Sequence, residues 1–404
     1  MRPFAGLFLL LLLLLPVYSI TQQWFVIPAV LLINLPWLPY AFIATGLILC
    51  VIFYNSREFC LLLVTGSIFW LLQNYVWSKG LPGITKEQLF DLLSIFLPAN
   101  LMALYFLRER GLLNQHGIKR LVFILIEITV LIWLIHANKL GFSSWLARDF
   151  FNLEITRQTV LKQTVIIFWL ITITSLMINW LFKGGFMNAI WLLALISLLI
   201  SMHLVQNVLI STIYIIITSL ILIAGIVIHA YNLAYRDELT LLPSRRALKQ
   251  QLLALGKNYS IAMVDVDHFK KLNDTYGHDV GDDVLKLLAS HLLSVEGGGK
   301  AFRYGGEEFT VVFPGKDAEY AAEYLDKLRQ QIAISPFIIR HKKRPRKKPE
   351  KRKSSANTKQ INITVSIGVS EKQEKHDNPQ EVIKSADNAL YNAKENGRNQ
   401  VVVE

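Results

Sequence analysis

The sequence predicts a multi-span α-helical membrane region followed by a separate α+β domain, and three observations predict it. Apolar runs of bilayer-spanning length recur up to about residue 231 and then stop. Beyond that point, short buried-strand patterns alternate with amphipathic helical ones. Two of those strand patterns, Ala301–Tyr304 and Phe309–Phe313, meet at a Gly305-Gly306 turn that carries adjacent carboxylates, Glu307 and Glu308.

Composition agrees with this division. Hydrophobic residues make up 53% of the 404, and the mean hydropathy is +0.38, both above a soluble average. The excess lies almost entirely before Tyr231. The formal charge of +12 has a local source, because Arg340–Lys353 holds ten Lys or Arg and one Glu in fourteen residues. The high isoelectric point therefore describes one tract. Cys50 and Cys60 both sit in apolar stretches, as packed thiols do, so no disulfide framework is expected.

Taken in order, the spanning runs fall at about 4–20, 30–54, 59–77, 88–107, 120–137, 163–182, 187–203 and 208–231, so residues 1–231 read as about eight helices. Pro16, Pro28, Pro36 and Pro39 interrupt the first fifty residues, which is tolerable where neighbouring helices resatisfy the backbone. Met1–Ser19 has Arg2 and a leucine-rich core without a small-residue cleavage site, which favours a retained helix over a removed leader. The most basic short connection runs from Arg108 to Arg120, and Arg57 and Lys183 fall on the same side, which puts the C-terminus inside. The connection from Lys139 to Lys162 is also basic and argues the other way. Glu127 and Asp91 lie within spans and His203 lies near an end. No regular array of membrane carboxylates marks an ion pathway, so a sensory or anchoring role is expected.

The last span continues through Tyr231–Tyr235 without Gly or Pro, as one helix leading into the second half. Ser260–Asp265 reads as a buried strand ending on a carboxylate, with Asp267 as the N-cap of the helix that follows. An Asp at the end of a central strand, opposite an acidic hairpin, is an arrangement that holds Mg²⁺ in phosphoryl-transfer sites. Two carboxylates as close as Glu307 and Glu308 also invite a cation with a preference for hard oxygen ligands. On the residues alone, a surface hairpin solubilised by its Glu residues remains open, as does a plain N-cap role for Asp282 on a helix Asp283–Leu293.

Gly305-Gly306-Glu307-Glu308-Phe309 resembles the signature of the GGDEF family, the diguanylate cyclases, in its GGEEF form. The run from Asp237 to Arg246 is similar to that family's opening segment, with Leu241 where Gly is usual and Ser244, still able to cap a helix, where Asn is usual. The resemblance covers roughly Tyr235–Glu404 and makes 232–404 a catalytic domain. It implies a palm-like, mostly antiparallel sheet with flanking helices, and the condensation of two GTP into cyclic di-GMP and two pyrophosphates across a homodimer. It implies Mg²⁺, with Mn²⁺ as a substitute, on the Asp265 carboxylate, the Val266 carbonyl and Glu307, with Glu307 or Glu308 accepting the proton. Lys270, Lys394 and Arg398 match residues beside the phosphates, Asn273 and Asp282 the guanine-binding pair, and His278 a position associated with substrate. The setting it implies is a bacterial inner membrane with the domain in the cytoplasm. The alternative is a non-catalytic relative that binds nucleotide and signals by contact.

Two departures bear on regulation. Where many of these cyclases carry an Arg-x-x-Asp product-inhibition motif, this chain has Glu296-Gly297-Gly298-Gly299, so feedback through that site is not expected. The basic tract within 340–360 reads as a disordered insertion, either a solvated loop with no specific partner or one whose residues Arg340–Lys353 contact anionic lipid headgroups. No aromatic residues interleave its charges, so nucleic acid is not expected as a partner.

Overall fold

The computed structural model describes residues 33–78, 80, 85–112, 114–136, 150, 159–339 and 359–404. The run at 4–20 and the basic tract Arg340–Lys353 lie outside the described residues. The chain divides into two compact units, Met1–Ala230 and Tyr231–Glu404.

The first unit is helical: α1 (Leu38–Ile52), α2 (Ser56–Leu71, prolonged by a π-helical turn Leu72–Val76), α3 (Lys86–Phe106), α4 (Gln115–His136), α5 (Gln163–Lys183), α6 (Phe186–His203) and α7 (Val208–Tyr235). Five of these are long and apolar enough to cross a membrane: α2 with its π-helical turn, α3, α5, α6 and α7. The expected span 30–54 becomes the shorter helix α1, whose first turn holds Pro39, a residue that starts helices and does not continue them. The expected span 120–137 begins earlier, at Gln115, and so takes Lys119 and Arg120 into its first turns. Helix α1 packs on α2, α2 on α3 and α4, α3 on α5 and α6, and α5 on α6. Cys50 and Cys60 are buried free thiols, as their apolar settings predict.

The second unit contains α8 (Arg245–Leu253), β1 (Tyr259–Val266), α9 (Phe269–Tyr276), α10 (His278–Leu292), β2 (Lys300–Gly305), β3 (Glu308–Pro314), α11 (Ala318–Ile334), β4 (Pro336–Ile339), β5 (Lys359–Asn362), β6 (Val365–Glu371), α12 (Pro379–Glu395) and β7 (Val401–Val403). The main sheet has the order β2-β3-β1-β6-β7; only the β6–β7 pair is parallel, and β4 and β5 form a separate antiparallel pair. Both faces of β1 are covered, which is why all eight of its residues are buried. Alternation sends Ala262 and Val264 to one side, packed with Leu285 and Leu288 of α10 and Leu325 of α11. Ile261 and Met263 go to the other, packed with Leu248 of α8 and Ala386 and Leu390 of α12. Helix α12 lies directly on the sheet because β6 presents Gly368 there, where a Cβ would stand 2.0 Å from the Leu390 nitrogen.

Candidate active site

Asp265 has the same strand parity as Ile261 and Met263, so it faces α12 at the carboxyl end of β1. In the antiparallel register its partner on β3 is Glu308, which places the two side chains on one face. The hairpin is tighter than its sequence predicts. Gly305 and Glu308 are already strand residues paired with each other, and Gly306-Glu307 forms the turn, with φ +48° at Gly306. Arg303 braces it: its guanidinium donates to the Gly306 carbonyl at 2.7 Å and to the Asp237 carboxylate at 2.6 Å.

Asp265 is 4% exposed, and Lys394, near the end of α12, sets its ammonium 3.0 Å from one carboxylate oxygen. Burial pushes the Asp265 carboxyl above its usual range; Lys394 opposes this and Asp267 and Asp387 reinforce it. Glu307 is raised by burial and then by the charges of Asp265 and Glu308. Glu308 is raised by burial and then by Asp265 and Asp387, against Lys394 and Arg245. The cluster thus draws in Asp387, which sequence reasoning missed. Its signal was the seven-residue spacing to Lys394, two turns along one helix face.

Among the described residues, no three His, Cys, Asp or Glu side chains converge as a ready-made metal cage. The chemistry of the cluster nevertheless fits a hard divalent cation. Asp265, Glu307 and Glu308 repel one another, and a cation is drawn there at present, in the form of the Lys394 ammonium on Asp265. Val266 ends β1 beside them and is 1% exposed.

Asn273 lies near the end of α9, and its Oδ1 is buried with no hydrogen-bond partner among the described residues. A Cβ on Gly281 would stand 1.9 Å from that oxygen, so glycine is required there for the amide to reach the start of α10. Asp282 follows Gly281 and is exposed. The expected start of this helix is corrected: α10 begins at His278 with Gly277 as N-cap, so Asp282 sits inside the helix and is not its cap. The structure therefore brings Asn273 and the Asp282 segment together. Lys270 and His278 are exposed, and their side chains make no hydrogen bond or ion pair among the described residues.

Asp267 also departs from expectation. The N-cap position of α9 is His268, in the left-handed region at φ +57°. The Asp267 carboxylate instead accepts from Thr364 Oγ1 at 2.7 Å, Ser366 Oγ at 2.6 Å and the Asn399 amide at 3.1 Å. Arg329 of α11 holds the same loop, donating to the Asn399 carbonyl at 3.0 Å. Three consecutive residues there, Gly397, Arg398 and Asn399, have positive φ, so these charged contacts keep a strained loop in place and fix where Arg398 emerges. Ser244 stands at the N-cap of α8 without capping it through its side chain; its hydroxyl donates to the Ala234 carbonyl at 3.4 Å. Leu241, at the position where Gly is usual, has φ +60° and is 63% exposed.

Residues 234–400 match the family model described as "Diguanylate cyclase, GGDEF domain". Response regulator PleD of Caulobacter vibrioides is 37% identical over 182 residues, 43% of this chain and 37% of that protein. The probable diguanylate cyclase DgcT of Escherichia coli is 31% identical over 263 residues, 59% of this chain and 54% of that protein. Diguanylate cyclase VdcA of Vibrio cholerae is 37% identical over 170 residues, 41% of this chain and 46% of that protein. The chain thus spans about half or less of the length of these curated relatives. Among solved structures, the GGDEF domain of DgcB from Caulobacter crescentus in complex with c-di-GMP is 31% identical, covering 42% of this chain and 95% of that one at a TM-score of 0.36.

Proposed function

Residues 234–400 are a GGDEF domain, and from that premise we propose that the chain is a membrane-bound diguanylate cyclase. It condenses two GTP into cyclic di-GMP and two pyrophosphates across a homodimer, each protomer holding one GTP. The observation that carries the reading is the group of mutually repelling carboxylates at the end of β1 and the β2–β3 hairpin, with Lys394 beside them. Asp265, the Val266 carbonyl and Glu307 would hold Mg²⁺, or Mn²⁺ in its place. The cation would screen phosphate charge and lower the pKa of the attacking hydroxyl.

The side chains do the rest. Asn273 Oδ1, a buried acceptor without a partner among the described residues, suits the amino and ring N–H donors of guanine, and Asp282 adds a second acceptor. Lys270, Lys394 and Arg398 neutralise the triphosphate, and His278 lines the approach to it. Each ribose 3′-oxygen bonds to the α-phosphorus of the facing nucleotide. The bond from that phosphorus to the bridging oxygen breaks, pyrophosphate leaves, and the hydroxyl proton passes to Glu307 or Glu308, whose raised pKa suits a proton acceptor. The five long apolar helices anchor the chain in the bacterial inner membrane, with the domain in the cytoplasm. The charge of the basic tract Arg340–Lys353 is of the kind that anionic lipid headgroups attract. Glu296–Gly299 supplies no Arg-x-x-Asp site, so product feedback through that motif is absent.

One observation favours a second reading, a nucleotide binder that signals by contact: the ion pair Lys394–Asp265 already satisfies one of the proposed ligands. Incubating the purified full chain with GTP and Mg²⁺ separates the two. Cyclic di-GMP and pyrophosphate are the expected products. Bound but unconverted GTP would favour the second reading.

A further inference from the structure

Basic residues of the stretch from Arg108 to Arg120, which the sequence reads as its most basic short connection, line a cavity of about 600 Å³ at the end of α3 and the start of α4. Its lining is of two kinds. Leu104, Phe106, Phe123 and Ile124 are apolar, and Phe106 and Phe123 are each 53% exposed. Arg108, Arg110, His116, Lys119 and Arg120 are basic, and among the described residues no Asp or Glu lines the cavity.

The nearest acid is already committed. Glu109 accepts from the Ser56 and Arg57 amides, each at 3.1 Å, and from the Gly111 amide at 3.0 Å, and it pairs with Arg57 and Arg120. Arg120 also donates to Ser56 Oγ and to the Arg108 carbonyl. The Arg110 side chain meets the His116 ring, at 3.0 Å, and has no ion-pair partner among the described residues. The side chains of Arg108 and Lys119 have no ion-pair partner among the described residues. A cavity lined both by unspent cations and by aromatic and aliphatic carbon matches a ligand that is anionic at one end and apolar at the other.

We infer that this cavity binds an anionic phospholipid, its phosphate between Arg108, Arg110 and Lys119 and its acyl chain along Phe106 and Phe123. The inference rests on the reading of the N-terminal unit as membrane-embedded, which puts the end of α3, one of its long apolar helices, at headgroup depth. A phospholipid seated here bridges α3 and α4, whose connection also supplies the carboxylate that caps α2, so lipid composition reaches the packing of three helices through one site.

The test uses the full chain purified in detergent and offered equal amounts of phosphatidylglycerol and phosphatidylcholine, with retained lipid counted by native mass spectrometry. Preferential retention of phosphatidylglycerol is expected. R108Q/K119Q is expected to weaken it about thirty-fold, the effect of two cations at a lipid surface. Ala103→Trp, which fills the cavity and leaves every charge in place, is expected to abolish the preference as well. Lys183→Gln, a cation outside the cavity, should leave it unchanged. Equal retention of the two lipids, or wild-type retention by both cavity variants, overturns the inference. So does loss of the preference on adding equimolar inorganic phosphate, which would assign the cations to a soluble anion. Membrane fractionation keeps the premise separate: a membrane-bound chain without lipid preference refutes the cavity alone, whereas a soluble chain refutes the spanning reading too.

Discussion

Two sets of acidic groups, one in each unit, are treated in opposite ways. In the N-terminal unit, Glu58 is 1% exposed and accepts from the Trp191 indole at 2.9 Å, with Arg57 3.8 Å away. Glu109 takes amide donors from both sides of its loop and caps α2 from another part of the chain. Burial pushes its carboxyl up, but the hydrogen bonds from Ser56, Arg57 and Gly111 outweigh this and hold it below its usual range. In the C-terminal unit, Asp265, Glu307, Glu308 and Asp387 act on one another around a single ammonium, and the first three are all raised. The contrast separates two uses of a carboxylate. Where every lone pair is met within the chain, acid serves the packing; where repulsion is left standing, the unit holds stability in reserve for something positive to bind.

The sharpest way to break this contrast is at the hairpin. The double change Glu307→Gln, Glu308→Gln should lower cyclic di-GMP formation from GTP by about 10³-fold or more, as expected when charge at a reacting centre is removed. It should leave the thermal midpoint of the C-terminal unit unchanged or higher, because it relieves repulsion. Undiminished turnover would remove these residues from the chemistry. The same kind of change in the other unit should act in the reverse sense. Glu109→Ala should cost about 2–4 kcal/mol, since it strips acceptors from several amides and leaves Arg120 without its carboxylate. Thermal unfolding in detergent reads this directly, and a shift near zero would show Glu109 to be dispensable.

Two smaller effects sharpen the comparison. For Asp265, Glu307 and Glu308 the folded pKa is raised, so the folded state binds more protons than the unfolded one. The stability they contribute is complete below their unfolded pKa values and is lost as pH rises through the folded ones. Mg²⁺ should therefore raise the thermal midpoint of the C-terminal unit by a few degrees, about 1 kcal/mol, at pH 7.5 and much less near pH 4. Equal shifts at both pH values would separate the metal from the carboxylates. The smallest effect concerns Leu241, whose exposed side chain is held at φ +60°. Leu241→Gly should stabilise by up to about 1 kcal/mol, the left-handed penalty less the entropy of the added glycine, as measured by denaturant unfolding.

Legibility in the sequence followed the range of the physics. The buried strand, read as Ser260–Asp265 and observed as Tyr259–Val266, and the acidic hairpin were readable because hydropathy period and turn chemistry are local signals. Asp265 opposite Glu308 was anticipated as an Asp facing an acidic turn, although the register that fixes the pair is a property of the sheet. Asp267 was misread because a helix-starting Asp looks the same whether it caps its own helix or, as here, holds Thr364, Ser366 and Asn399, which lie 97, 99 and 132 residues further along the chain. Glu58 and Glu109 escaped for a similar reason: Trp191 and Ser56, which satisfy them, are remote in sequence. Leu241 was noted as a departure from a family pattern, and only the backbone shows that its residue type conflicts with its conformation.

The central claim is that the carboxylates at the end of β1 and on the hairpin outnumber the Lys394 ammonium that meets one of them, so that they can take a divalent cation with GTP. Mn²⁺ titrated into the full chain with a non-hydrolysable GTP analogue, and followed by electron paramagnetic resonance, tests this most directly. The account predicts nucleotide-dependent Mn²⁺ sites that Asp265→Asn and Glu307→Gln each remove; Mn²⁺ binding unaltered in both variants would contradict it.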